Sequence, residues 1–111
     1  MQRSVPNFIG AERIETEIIV LTPQMDNIPI LDGKIVCIEG ADPGYDWIFT
    51  KNIAGLITKF GGANSHMAIR SAEYGIPAAI GCGEQTFERI ISAQKCLIDG
   101  LGKRLEPIFL N

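Results

Sequence analysis

A Gly61-Gly62 pair and a Gly75-Ile76-Pro77 triplet bracket the segment that holds the only histidine of the chain, His66. Ahead of it, Ile53-Ala54-Gly55-Leu56-Ile57-Thr58 reads as a short buried strand, and Pro77 to Gly83 reads as another. Between them the spacing predicts a helix from Ser65 to Tyr74, with Met67, Ala68, Ile69 and Ala72 as its apolar positions. Asn64 or Ser65 supplies the N-cap, Gly75 a left-handed C-cap, and Pro77 prevents continuation. Strand, glycine loop, helix and strand thus follow in close order, with the imidazole at the loop-to-helix junction. A chain built on such a unit belongs to the α/β class.

The flanking segments fit that class. Residues 1–11, with Pro6 and Gly10, read as a lead-in segment ordered by docking. From Glu12 to Thr22 three glutamates would tolerate a helix, but Ile14, Thr16, Ile18 and Val20 alternate and Ile18 to Val20 is β-branched, which predicts a strand. Pro23 and Pro29 mark a loop, and Asp32-Gly33 a turn before a second strand, Lys34 to Glu39. Asp42 as N-cap and Pro43 at the first helical position predict a short helix with Trp47, Ile48 and Phe49 on its apolar face and Asn52 as its stop. Tyr45 or Trp47 has a second reading, as a side chain facing a partner domain. Gly83 to Ser92 fits an amphipathic helix, and 94–100 with 103–109 a terminal hairpin.

At 111 residues the chain makes one domain, 1–111. A net charge of −3 with dispersed Lys and Arg gives no nucleic-acid footprint. No apolar run approaches the roughly 20 residues that cross a bilayer, and the N-terminus lacks a signal-peptide pattern. Cys37, Cys82 and Cys96 are odd in number, form no Cys-x-x-Cys pair and lie in apolar runs. They read as buried reduced thiols of a cytoplasmic protein, and with one histidine they argue against a metal site.

The loop has its own chemistry. Gly61 and Gly62 allow the backbone to approach an anion closely, and the first turn of the following helix presents N–H groups and the positive end of its dipole. His66 stands in that first turn. The dipole there disfavours the imidazolium and helps to keep a ring nitrogen nucleophilic. Once that nitrogen carries a phosphoryl group, the amides and the dipole stabilise the added charge. Arg70, one turn on, lies on the same face within reach of a phosphate.

The run Gly61-Gly62-Ala63-Asn64-Ser65-His66, continuing into Gly75-Ile76-Pro77-Ala78, resembles the signature of the phosphohistidine swivelling (mobile) domain of the phosphoenolpyruvate-utilising enzymes. That family includes phosphoenolpyruvate synthase, pyruvate phosphate dikinase, enzyme I of the sugar phosphotransferase system and rifampicin phosphotransferase. Asp42-Pro43-Gly44, Ala54 to Thr58 and Asp99-Gly100 also match, and the resemblance covers residues 33–109. It implies a three-layer β/β/α domain and makes His66 the residue phosphorylated, with Gly61, Gly62, Asn64, Ser65 and Arg70 as the phosphate-stabilising set. It also implies that the phosphoryl group shuttles between an ATP-grasp nucleotide-binding domain and a pyruvate, phosphoenolpyruvate or other acceptor domain, a covalent intermediate splitting the reaction in two. Those partners lie in the same parent chain or act in trans. They would hold ATP or phosphoenolpyruvate and magnesium, while this domain binds no cofactor itself.

Two departures stand out. Many relatives have threonine at the position of Asn64, where dikinases place a regulatory phosphorylation that asparagine cannot accept. Many also have Ala-Arg where this chain has Ser71-Ala72, so Arg70 precedes that arginine by two residues, about 200° around a helix. A chain of this length has no room for an ATP-grasp domain or a TIM barrel of about 250 residues. The expectation is therefore a carrier domain of a larger phosphotransferase or a separate carrier protein, and the short lead-in and early end fit a C-terminal carrier domain. Pyruvate, water, a sugar or an antibiotic hydroxyl all suit such a carrier as acceptor. The competing reading is a non-catalytic interaction or regulatory module that keeps the fold without phosphorylation.

Overall fold

A computed structural model describes residues 5–23, 25, 27–41 and 43–110. Seven strands form one curled sheet in the order β1-β5-β4-β3-β2-β6-β7. Its centre is parallel: β2 (Arg13–Val20), β3 (Ile35–Ile38), β4 (Gly55–Thr58) and β5 (Ala78–Ile80) run side by side. Every residue of β3, β4 and β5 is buried, as expected of parallel strands covered on both faces and of their unbroken apolar sequences.

The long strand β2 divides its partners. Ile18 to Val20 pair in parallel with β3, whereas Arg13 to Glu17 pair antiparallel with β6 (Lys95–Asp99), which forms the expected hairpin with β7 (Arg104–Ile108). Along the first part Arg13, Glu15 and Glu17 are exposed while Ile14 and Thr16 are half-buried. That period of two is why strand wins over helix despite the glutamates.

The pleat sorts the core into two halves. Val36, Ile38, Leu56, Ala78 and Ile80 pack against Met67 and Ala68 of α1 (His66–Tyr74) and against Ile48 and Phe49 of a 3₁₀ helix, Pro43–Thr50. On the opposite face Ile35, Cys37, Ile57 and Ala79 meet Cys96 and Ile98 of β6 and Phe87 and Ile90 of α2 (Glu84–Ile91). The result is an α/β domain layered as helix, parallel sheet and outer β-ribbon, with α2 in the ribbon layer.

The lead-in segment is docked on the sheet, and nothing in its sequence marks it as a strand. Asn7–Ile9 forms β1, antiparallel to β5, with Asn7 Nδ2 donating to the Ile80 carbonyl at 3.3 Å. It pairs what would otherwise be the open edge of β5. Asp42, expected to cap the 3₁₀ helix, lies outside the described residues; Pro43 does stand at the first helical position. Tyr45 and Trp47 are half-buried and pack against the core, and both also line a surface groove with Leu21, Pro23 and Ile28. No helix among the described residues is long and apolar enough to cross a membrane.

Candidate functional site

The backbone leaving β4 is held from both sides. Lys59 and Phe60 N–H groups donate to the carbonyls of Ile38 and Glu39 at the end of β3, while Cys82 and Gly83 N–H groups donate to the Thr58 and Lys59 carbonyls from beyond β5. The buried Thr58 hydroxyl ties the two flanks together, donating to the Phe60 carbonyl at 2.7 Å and accepting from Gly81 N–H at 2.9 Å. Gly61 and Gly81 meet face to face. Both have positive φ, 119° and 74°, and a Cβ at Gly81 would lie 2.1 Å from the Gly61 carbonyl oxygen. Only glycine allows this approach. At Gly62, by contrast, an added Cβ would meet nothing within 4 Å, and Asn64 is exposed.

The loop then turns into α1, with Ser65 N–H donating to the Gly62 carbonyl at 3.0 Å. Ser65 is the N-cap: its backbone is extended and its hydroxyl accepts from Ala68 N–H at 3.4 Å. The C-cap is the left-handed Gly75. His66 is the first helical residue, its side chain 36% exposed. The sequence therefore places the histidine, its cap and its stop.

What the sequence reading missed is Asp46, in the first turn of the 3₁₀ helix. Its Oδ1 lies 2.9 Å from His66 Nε2 and accepts from Arg70 Nε at 3.0 Å, and its Oδ2 accepts from Arg70 Nη2 at 3.4 Å. Arg70 also donates to Glu73 at 3.0 Å and to the Tyr74 hydroxyl at 3.1 Å, lying over the Tyr74 ring. Tyr74 in turn stacks on Phe49, ring centroids 5.2 Å apart. The bonds from His66 and then from Arg70 hold the Asp46 carboxyl below its ordinary 3.8, and the bonds to Asp46 and then Glu73 push the Arg70 guanidinium further up. Arg70 thus comes to the histidine, through Asp46, even though it stands two positions before the arginine of many relatives.

No local spacing marks Asp46, twenty residues before His66. The sheet topology would have found it. β3 and β4 are parallel neighbours, so the segments leaving their carboxyl ends emerge side by side, and sites in open α/β sheets form there. Among the described residues no group of three or more His, Cys, Asp or Glu is placed to hold a metal ion.

Residues 30–102 match the family described as PEP-utilising enzyme, mobile domain. The chain belongs to this family. Curated relatives of the mobile domain include a rifampicin phosphotransferase of Bacillus cereus, 34% identical over 84 residues, and phosphoenolpyruvate synthases of Deinococcus radiodurans, 34% over 86, and Escherichia coli, 33% over 84. These alignments cover 76%, 78% and 76% of this chain and only 9%, 10% and 10% of the relatives. The domain therefore spans about a tenth of their length. Among solved structures, the solution NMR structure of a UPF0107 protein superposes with a TM-score of 0.68, covering 96% of this chain and 99% of that one at 15% identity. That likeness concerns the fold alone.

Proposed function

We propose that this mobile domain is a phosphoryl carrier and that His66 is the residue phosphorylated. The observation that carries the reading is the place of His66: first residue of α1, after the loop fixed between β3 and β5, in a domain of this family. A ring nitrogen attacks the phosphorus of a donor; the P–O bond to the donor breaks, its electron pair staying on the departing oxygen, and an N–P bond forms as the ring gives up a proton. The first turn of α1 and the Arg70 guanidinium offset the charge that arrives. Gly61 and Gly62 keep the approach to the ring free of side chains, and Ser65 and Asn64 shape its edge.

The transfer partners in this proposal are an ATP-grasp domain and a domain that binds phosphoenolpyruvate, pyruvate or another acceptor, in one parent chain or in trans. ATP or phosphoenolpyruvate and magnesium belong to those domains. The multidomain relatives and the small share of their length matched here support this division of labour. Three free buried thiols suit a reducing compartment, and we place the carrier in the cytoplasm.

The test is phosphoryl labelling from a cognate donor domain supplied with radiolabelled ATP or phosphoenolpyruvate. Wild type takes up acid-labile, base-stable label and His66→Ala none. Equal labelling of both, or of neither, refutes the carrier reading and leaves a non-catalytic interaction module.

A further inference from the structure

The carboxylate of Asp46 bridges His66 to the Arg70 guanidinium, and the sequence motif gives it no role. With the Asp46 carboxyl ionised, its oxygens only accept, so the 2.9 Å contact requires a proton on His66 Nε2. In the uncharged ring Nε2 then donates to Asp46, and its electron pair is not available for attack. The same carboxylate holds Arg70 through Nε and Nη2. The oxygens of a phosphoryl group on Nε2 would stand at hydrogen-bond range from that nitrogen, in the space Asp46 Oδ1 now fills. Two anions cannot share that space or that guanidinium without mutual repulsion.

We propose that Asp46 is a positioning residue: it occupies the phosphoryl position of the unphosphorylated carrier, holding His66 and Arg70 in place, and yields both to the phosphoryl group when Nε2 is modified. The inference rests on the carrier reading of His66. On release of Asp46 the ring proton moves through solvent from Nε2 to Nδ1, which leaves the Nε2 electron pair for attack. Arg70 then turns from a carboxylate to a phosphoryl oxygen without leaving its rest on the Tyr74 ring, where its Cζ lies 4.9 Å from the ring centre. The returning carboxylate competes with the adduct and favours departure of the phosphoryl group.

The experiment uses the intact chain and potassium phosphoramidate as a chemical donor. The P–N bond of the reagent breaks with its electron pair leaving on ammonia, which takes up the ring proton as the His66 N–P bond forms. Long-range ¹⁵N NMR of the wild type is expected to show Nε2–H before treatment, and afterwards phosphorus on Nε2 with a displaced Arg70 Nε–H signal. In Asp46→Asn, which keeps the shape but not the charge, the Nε2 adduct should persist roughly two- to fivefold longer, the range of coupling between partly exposed charges. In the Asp46→Asn/Arg70→Gln double variant the gain, measured against Arg70→Gln alone, should shrink to the part due to charge repulsion, which a merely structural role for Asp46 would not produce.

A wild-type ring with Nε2 unprotonated at rest overturns the proposal. So does an adduct on Nδ1 with the Nε2–Asp46 bond intact, an unchanged lifetime in Asp46→Asn, or a gain undiminished by loss of Arg70. Because phosphoramidate needs no protein donor, the outcome is separate from that of the labelling test: a carrier that no donor domain labels can still show the exchange, and a labelled carrier can lack it.

Discussion

Substituting Gly81 by alanine should do more harm than the loss of a flexible residue accounts for, and three glycines separate the contributions. At Gly62 an added Cβ meets nothing within 4 Å and φ is not positive, so Gly62→Ala is expected to be neutral or slightly stabilising. At Gly75 the space is also open but φ is 68°, so Gly75→Ala reports the left-handed backbone penalty alone, about 1 kcal/mol. At Gly81 the same penalty applies at φ 74°, and the Cβ also stands 2.1 Å from the Gly61 carbonyl oxygen, where contacts under 3.0 Å are essentially never seen. Relief requires the Gly61 loop to back away by about 1 Å, and forcing such a shift in a packed structure costs about 1–3 kcal/mol. The sum is roughly 2–4 kcal/mol. At about 4 °C per kcal/mol for a domain of this size, Gly75→Ala should melt about 4 °C below wild type and Gly81→Ala about 8–16 °C below. Thermal melts by circular dichroism read this directly, and amide shifts of residues 60–66 should move in Gly81→Ala but not in Gly75→Ala. If Gly81→Ala melts together with Gly75→Ala, the clamp on the loop before His66 is not what the geometry indicates.

Two further perturbations probe the ribbon side of the core. Phe87→Ala removes a ring that is 2% exposed between α2 and the sheet, and should cost about 3–5 kcal/mol, measured as a lowered urea midpoint with an unchanged slope. Burial pushes the thiols of Cys82 and Cys96 up from 9.0 to about 11 and about 12. The unfolded chain loses these protons from about pH 9 while the folded chain keeps them, so stability should fall as pH rises above 9, and native thiols should resist a disulfide reagent at pH 8 that titrates all three after unfolding.

Much of this domain is written locally. Ser65, Gly75 and Pro77 mark the bounds of α1 within a residue, because caps and stops act on the backbone beside them. The apolar runs of β3 and β4 announce strands covered on both faces. The alternation of β2 identifies a strand but not its change of partner after Glu17, since pairing is decided by neighbours far along the chain. β1 escaped for the same reason: Asn7–Ile9 is too short to carry a period and exists through the edge of β5. At the site the motif specifies His66 and its loop, whereas Asp46 reaches Nε2 only because β3 and β4 lie parallel and adjacent.

The position of these groups at the rim of the sheet also bears on what a carrier needs. The side chains of His66, Asp46 and Arg70 are 36%, 40% and 30% exposed, and ion pairs at such depth are screened and individually weak. A deeply buried phosphoryl site would bind its charge tightly and release it slowly. A shallow site, rigid in its backbone through Thr58 and the Gly61–Gly81 contact but weak in its charge pairing, would orient the imidazole of the proposed carrier and still let the group depart. On that proposal, precision comes from buried hydrogen bonds and close glycine packing, and reversibility from exposed charges. On the carrier proposal, a ring that is 36% exposed at this rim can be reached from outside the domain, which transfer to and from partner domains would require.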